Sequence, residues 1–345
     1  MSFRRTDPAV LHTRYALAPQ MRAYDALEPH VHPYVGLSAP RGARGTVVST
    51  DAEGFRRTPW RGGWTDTASA PSALAGILLG GSFSFGVGAS GDGTTIAAHL
   101  ARSRSEPWLN LGIRAGNSGQ ELSSVLPFAA QAPVVVLCSG VNNLVAELQS
   151  TGPDQVYGPL FFEEAVAAVG SVPVHDLVEQ LNGERPGGGA ALDRLRSAFG
   201  RGAQARRPSP AAPAPHGPTL ADRRDRALAR QVRDLSLLVR MTGPEKVLFC
   251  LQPFAEARSR TAVPQEQQLL GVHDRRQGPR WERVRDFALA SWPWFAASME
   301  AACLGLGVRF LDLEAASFEG WSFVDRVHLT DDGYEQAARR ITEEL

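Results

Sequence analysis

The feature that most restricts the fold is a repeated order: short apolar runs end in small or polar residues, and each leads into a helical pattern. The runs lie at residues 77–79, 108–111, 134–137, 247–251 and 308–311. Strand and helix in alternation are the pattern of a parallel sheet with crossover helices. The runs do not alternate with polar residues, so all five are expected to be central strands without a wet face.

Helical spacing is clearest at 226–241, where Leu228, Val232, Leu235 and Val239 recur at intervals of three and four, bordered by arginines. A closing helix is expected at 332–345. It has acidic residues in its first turn and Tyr334, Ala337, Ala338 and Ile341 along one side. Further helices are expected at 94–102, 121–130 and 283–304, the last interrupted near Pro293. These elements predict an α/β fold: a three-layer α/β/α sandwich around a five-stranded, parallel, doubly wound sheet.

The 345 residues exceed an average domain, but one core with additions accommodates them. Residues 1–70 are rich in Pro, Gly and Arg and lack the strand–helix rhythm. They read as an N-terminal extension packed on the core, with a short strand at 45–49 and a turn at Glu53 and Gly54. Residues 71–345 read as one α/β core domain. Within it, 182–218 has the composition of a mobile insertion, and 256–279, with Leu269, Leu270 and Val272, that of a lid.

Basic and acidic residues both number 36, which removes the electrostatic case for a nucleic-acid or anionic-membrane partner. No apolar run reaches the length of a signal peptide or a membrane span, so a cytoplasmic protein is expected. Cys138, Cys250 and Cys303 stand in apolar surroundings without close pairing and read as core thiols.

Two segments carry chemistry. In Ile77-Leu78-Leu79-Gly80-Gly81-Ser82-Phe83-Ser84-Phe85-Gly86 an apolar strand runs into a glycine-flanked serine. That turn presents a hydroxyl at the carboxyl end of a strand, where open α/β sheets bind ligands. A phosphate-cradling turn is the alternative reading of this segment alone. Near the other end of the chain, Asp325-Arg326-Val327-His328 spaces a carboxylate and an imidazole three residues apart. The carboxylate can orient one ring nitrogen while the other accepts a serine proton, and histidine's ordinary pKa near 6.5 suits that exchange.

With both segments in view, the chain resembles the SGNH (GDSL-like) serine hydrolases, whose first block is Gly-Asp-Ser and whose last is Asp-x-x-His. Gly80-Gly81-Ser82 matches the first block, with Gly81 where the aspartate usually stands. The second is similar to Asn110-Leu111-Gly112-Ile113-Arg114-Ala115-Gly116-Asn117-Ser118. There Ala115 takes the place of the glycine whose amide helps bind the oxyanion, and Gly116 follows. Gly140-Val141-Asn142-Asn143 resembles the third block, Gly-x-Asn-Asp, with Asn143 replacing aspartate. Asp51-Ala52-Glu53-Gly54-Phe55-Arg56 resembles a Gly-Phe-Arg lead-in of bacterial members.

The resemblance implies a flavodoxin-like sheet and an acyl-Ser82 mechanism with His328 as general base and Asp325 as its orienting group. The oxyanion hole would be drawn from the Ser82 amide, the Ala115 or Gly116 amide and the Asn142 side chain. It implies an esterase or deacylase with a small-molecule acyl substrate and no metal or organic cofactor. The same residues serve an acyltransferase, and the Gly81 and Asn143 replacements keep open a non-catalytic binding protein.

Other candidates have plainer readings. His30 and His32 could ligate a metal but lack a third ligand nearby. Ser84 reads as a turn hydroxyl. Trp281, Phe287, Trp292, Trp294 and Phe295 could line an acyl pocket or pack a helix on the core. Arg114 and Arg258 could bind an anionic substrate group or stand solvated.

Overall fold

The computed structural model describes residues 8–69, 74–150, 155–163, 217–257, 260–277, 280–313 and 318–345. Chain contacts form two units, Met1–Pro159 with Leu220–Leu345, and Leu160–Thr219. Of the second unit, residues 160–163 and 217–219 are described, with a turn at Phe161 and Phe162. The expected insertion at 182–218 falls almost wholly outside the described residues, and Arg258 lies outside them too.

The first unit is built on a sheet of β5 (Gly76–Gly80), β6 (Trp108–Gly112), β7 (Val135–Ser139), β8 (Val247–Leu251) and β9 (Arg309–Asp312). The strands are all parallel and lie in the order β6-β5-β7-β8-β9. Numbered within the sheet this is 2-1-3-4-5, the flavodoxin-like order, with its switch point between β5 and β7. The four strands from β5 to β8 are buried along their length, as apolar runs without alternation require, but not all five are central: β6 and β9 are the edge strands, and β9 is only partly buried, with Arg309 exposed.

Helices cover both faces. Leu78, Val136, Cys138, Leu248, Cys250 and Leu311 form one cluster with Ile96 and Leu100 of α4 (Ile96–Arg104) and Tyr334 and Ile341 of α10 (Asp331–Glu344). The other layer comprises α5 (Ser118–Val125), α6 (Val141–Gln149), α7 (Leu220–Thr242) and α9 (Trp281–Leu306), packed on one another. All three cysteines are buried and unpaired.

Helix α9 runs unbroken through Pro293, where an interruption was expected. Ala288, Trp292, Phe295, Met299 and Cys303 are buried on both sides of the proline, while Pro293 itself is exposed. The carbonyl that loses its partner therefore lies on the wet side, and packing holds the two halves in line. Trp292 stacks on Phe295 and meets Phe254 edge-on, so these aromatics serve packing. Trp294 is partly exposed beneath Arg224.

The N-terminal segment contributes α1 (Pro8–Leu17), α2 (Met21–Ala26) and the hairpins β1 (His30–His32) with β2 (Gly36–Ser38), and β3 (Thr58–Trp60) with β4 (Gly63–Thr65). At 45–49 there is no strand; a single bridge joins Arg44 to Ser49. This stretch is held instead by Asp92, which accepts from the Ser49 amide, and by Arg56, which donates to Val47 O. Residues 52–54 form the expected turn, closed by Asp51 Oδ1 accepting from the Glu53 and Phe55 amides. The segment read as a lid carries α8 (Pro264–Gln277), which packs against α1.

Candidate active site

Three loops meet at the carboxyl end of the sheet because Gly80, ending β5, pairs with Gly112 of β6 and with Cys138 of β7. Gly80 has φ +145°, and a Cβ there would lie 2.2 Å from Cys138 O, so glycine is required for both angle and space. Ser82 then opens α3 (Ser82–Phe85), a single turn closed by Gly86 in the left-handed conformation.

His328 reaches this turn from the opposite end of the chain. Its Nε2 lies 2.7 Å from Ser82 Oγ, and its Nδ1 lies 2.9 Å from each oxygen of Asp325. Asp325 Oδ1 also accepts from the Val327 and His328 amides, at 3.0 and 2.9 Å, which shapes the loop around the imidazole. The Asp325 side chain is buried, His328 nearly so, and Ser82 partly open. Burial alone would push the Asp325 carboxyl up. The charge and hydrogen bond of His328 outweigh it, with His273 and Arg14 adding to them, and hold it well below the usual carboxylate range.

Beside Ser82 Oγ, the backbone amide of Ser82 stands at the first position of α3, where it has no intrahelical partner. In the second block the Gly116 amide donates to Ile113 O at 3.0 Å and is engaged. The Ala115 amide has no acceptor among the described residues. Ala115 adopts φ +58°, the left-handed conformation that favours glycine. Asn142 Nδ2 donates to Gly116 O at 2.7 Å, which leaves its second amide hydrogen unspent.

Behind these groups lies a buried polar network. Asn143 Oδ1 accepts from the Ser118 amide, while its Nδ2 donates to Ser118 Oγ and Gln231 Oε1. Ser118 Oγ donates to Asp234, and Ser139 Oγ to Glu121. Burial pushes the Glu121 carboxyl up to about 8; the Ser139 hydroxyl opposes that rise and Asp234 adds to it.

The remaining sequence candidates have other partners. Ser84 Oγ donates to Leu79 O at 2.9 Å inside the turn. Arg114 donates to Tyr24 O and Leu27 O at the end of α2. His32 Nδ1 accepts from the Tyr34 and Val35 amides and its Nε2 faces Glu53, while His30 is exposed. No group of three or more metal-ligating side chains occurs among the described residues, and no described helix is long and apolar enough to cross a membrane.

Sequence reasoning missed the side chains that support the site. Arg56, in the lead-in motif, is fully buried. It donates to Asp92, Tyr24 Oη, Phe85 O, Gly86 O and Val47 O, and so clamps the end of the turn that Ser82 begins. Arg14 lies 3.9 Å from Asp325, and His273 of α8 stands near both. Neither belongs to a motif.

No family model and no curated protein matches the sequence. Among solved structures the chain is similar to a lipase/acylhydrolase from Enterococcus faecalis. The identity is 13%, the match covers 79% of this chain and 95% of that one, and the TM-score is 0.40. It is also similar to a protein assigned to the G-D-S-L lipolytic family from Desulfitobacterium hafniense, at 11% identity, covering 78% and 98%, with a TM-score of 0.35.

Proposed function

We propose that the chain is a serine acyl hydrolase, an esterase or deacylase. The observation that carries this reading is the continuous line from Ser82 Oγ through both nitrogens of His328 to the buried carboxylate of Asp325. A nucleophile, a base and a group that orients the base stand in hydrogen-bond contact at a sheet switch point.

In this reading His328 Nε2 takes the Ser82 proton as Oγ attacks the acyl carbon. The negative oxygen that forms is met by the Ser82 and Ala115 amides and by the unspent hydrogen of Asn142. One donor of this kind lowers a barrier by roughly 3–4 kcal/mol. His328 passes its proton to the departing alkoxide or amine, leaving an acyl-Ser82 ester. Water then attacks that ester with His328 again as base, and Asp325 keeps the Nδ1 proton in place throughout.

The test is labelling of the full chain by a fluorophosphonate, read together with release of p-nitrophenol from p-nitrophenyl acetate. The wild type should label and turn over, and Ser82→Ala should do neither while remaining folded. Equal behaviour of the two proteins would remove the reading.

A further inference from the structure

Resting on that reading, we propose that Arg14 of the N-terminal helix is a positioning residue of the reaction: its guanidinium offsets the charge of Asp325 and thereby tempers the pull of that carboxylate on the His328 imidazole.

The two oxygens of Asp325 have unequal surroundings. Oδ1 accepts two backbone amides as well as facing His328 Nδ1. Oδ2 faces His328 Nδ1 at 2.9 Å and, beyond it, Arg14 Nη1 at 3.9 Å. At that separation Arg14 acts by charge more than by a hydrogen bond. Both side chains are buried, so salt and water screen the interaction little.

The other ionisable groups near Asp325 do not supply this charge. Arg326, next in the loop, turns away to Asp274 and Glu256. From α8, His273 adds to the hold on Asp325 when protonated, but burial pushes it down to about 4, so near pH 7 its charge is gone while that of Arg14 remains. From α10, Tyr334 is buried, donates to Val87 O and is held well above its usual range, and Asp331 is bonded to Ser90. Among the described residues, Arg14 is the arginine within ion-pair distance of Asp325.

Arg14 is itself held by Asp25 of α2 at 3.0 Å, and Asp25 by Arg276 of α8 at 3.2 Å. Charges therefore alternate along Arg276, Asp25, Arg14 and Asp325, drawn from α8, α2, α1 and the histidine loop. A segment outside the strand–helix core thus takes part in the chemistry. The signs give opposite expectations for two neighbours. Without Arg14, Asp325 stabilises a protonated His328 more strongly; without Asp25, Arg14 and Arg276 act unopposed and stabilise it less.

The experiment is the pH dependence of kcat/KM for p-nitrophenyl acetate with the full chain, with Ser82→Ala run in parallel. Arg14→Gln should move the midpoint of the acid limb up by about 0.5–1 unit. Arg14→Lys should return it close to the wild-type position, and Asp25→Asn should move it down. Loosened packing lowers a rate but does not move midpoints in opposite directions. Should Arg14→Gln fail to fold, the downward shift in Asp25→Asn still carries the sign. Midpoints unchanged in both Arg14→Gln and Asp25→Asn would overturn the role of Arg14 and leave the hydrolase reading standing. A Ser82→Ala rate equal to wild type would overturn both.

Discussion

Gly81 and Asn142 share one space: a Cβ on residue 81 would lie 2.4 Å from Asn142 Nδ2, the atom that bonds Gly116 O. The backbone of Gly81, at φ −84° and ψ −151°, is extended and open to any residue. Glycine is therefore needed here for room and not for conformation, in contrast to Gly80 beside it. The room left by Gly81 is taken by the Asn142 amide, which reaches across the Ser82 turn to Gly116 O.

Gly81→Ala should accordingly act through Asn142. The methyl displaces the amide, and kcat/KM for p-nitrophenyl acetate should fall by about 10²–10³-fold, the cost of one oxyanion donor. Asn142→Ala should fall by a similar factor. Adding Gly81→Ala to Asn142→Ala should cost little more, because the space is then empty, and the coupling in a double-mutant cycle measures this. Losses that simply multiply would mean the two positions act independently.

Ala115 holds a left-handed backbone conformation that costs an L-residue about 1–2 kcal/mol. Ala115→Gly should relieve most of that and raise stability by about 1 kcal/mol. The gain is limited by the greater freedom of glycine in the unfolded chain. Urea unfolding monitored by circular dichroism reads it as a higher midpoint at constant slope.

Much of the architecture is legible in the sequence because a buried parallel strand needs an unbroken apolar run: the five runs mark all five strands to within about two residues, four of them buried throughout and the edge strand β9 only in part. The residues that meet at Ser82 are readable for a related reason: they stand at strand ends and loop turns, where glycine, asparagine and histidine punctuate the pattern. Arg14, Asp25 and His273 leave no such mark. A charged residue on an amphipathic helix looks the same whether it faces water or a buried carboxylate, and tertiary packing alone decides which. The continuity of α9 through Pro293 and the division of labour between Gly80 and Gly81 depend on contacts in the same way.

Arg56 spreads its donors over a carboxylate, a phenol and three carbonyls in a fully buried site. A lysine cannot reproduce that planar fan of hydrogen bonds, so Arg56→Lys should already destabilise. Arg56→Met should cost about 3–5 kcal/mol, because Asp92 keeps its charge in a buried place and the end of α3 loses its cap. Thermal unfolding orders the three proteins as wild type, Arg56→Lys, Arg56→Met from highest to lowest Tm. A methionine variant as stable as wild type would show that the cluster is not needed to hold the turn.

Glu121 predicts how stability depends on pH. Its carboxyl ionises at about 8 in the folded chain and near 4.5 when exposed, so the unfolded state releases its proton first as pH rises. Between those values the folded state binds the extra proton. Its contribution is complete below about 4.5 and declines by about 1.4 kcal/mol per pH unit up to about 8, after which it changes no further. One oxygen accepts from Ser139, whereas the other has no partner among the described residues, so ionisation in place gains little. Glu121→Gln keeps an acceptor for Ser139 and removes the titration. Its Tm should exceed that of wild type at pH 8, and the two should converge as the pH falls towards 4.5. A constant difference across that range would mean that Glu121 is ionised in the folded protein, with the Ser139 hydroxyl and the surrounding amides compensating its burial.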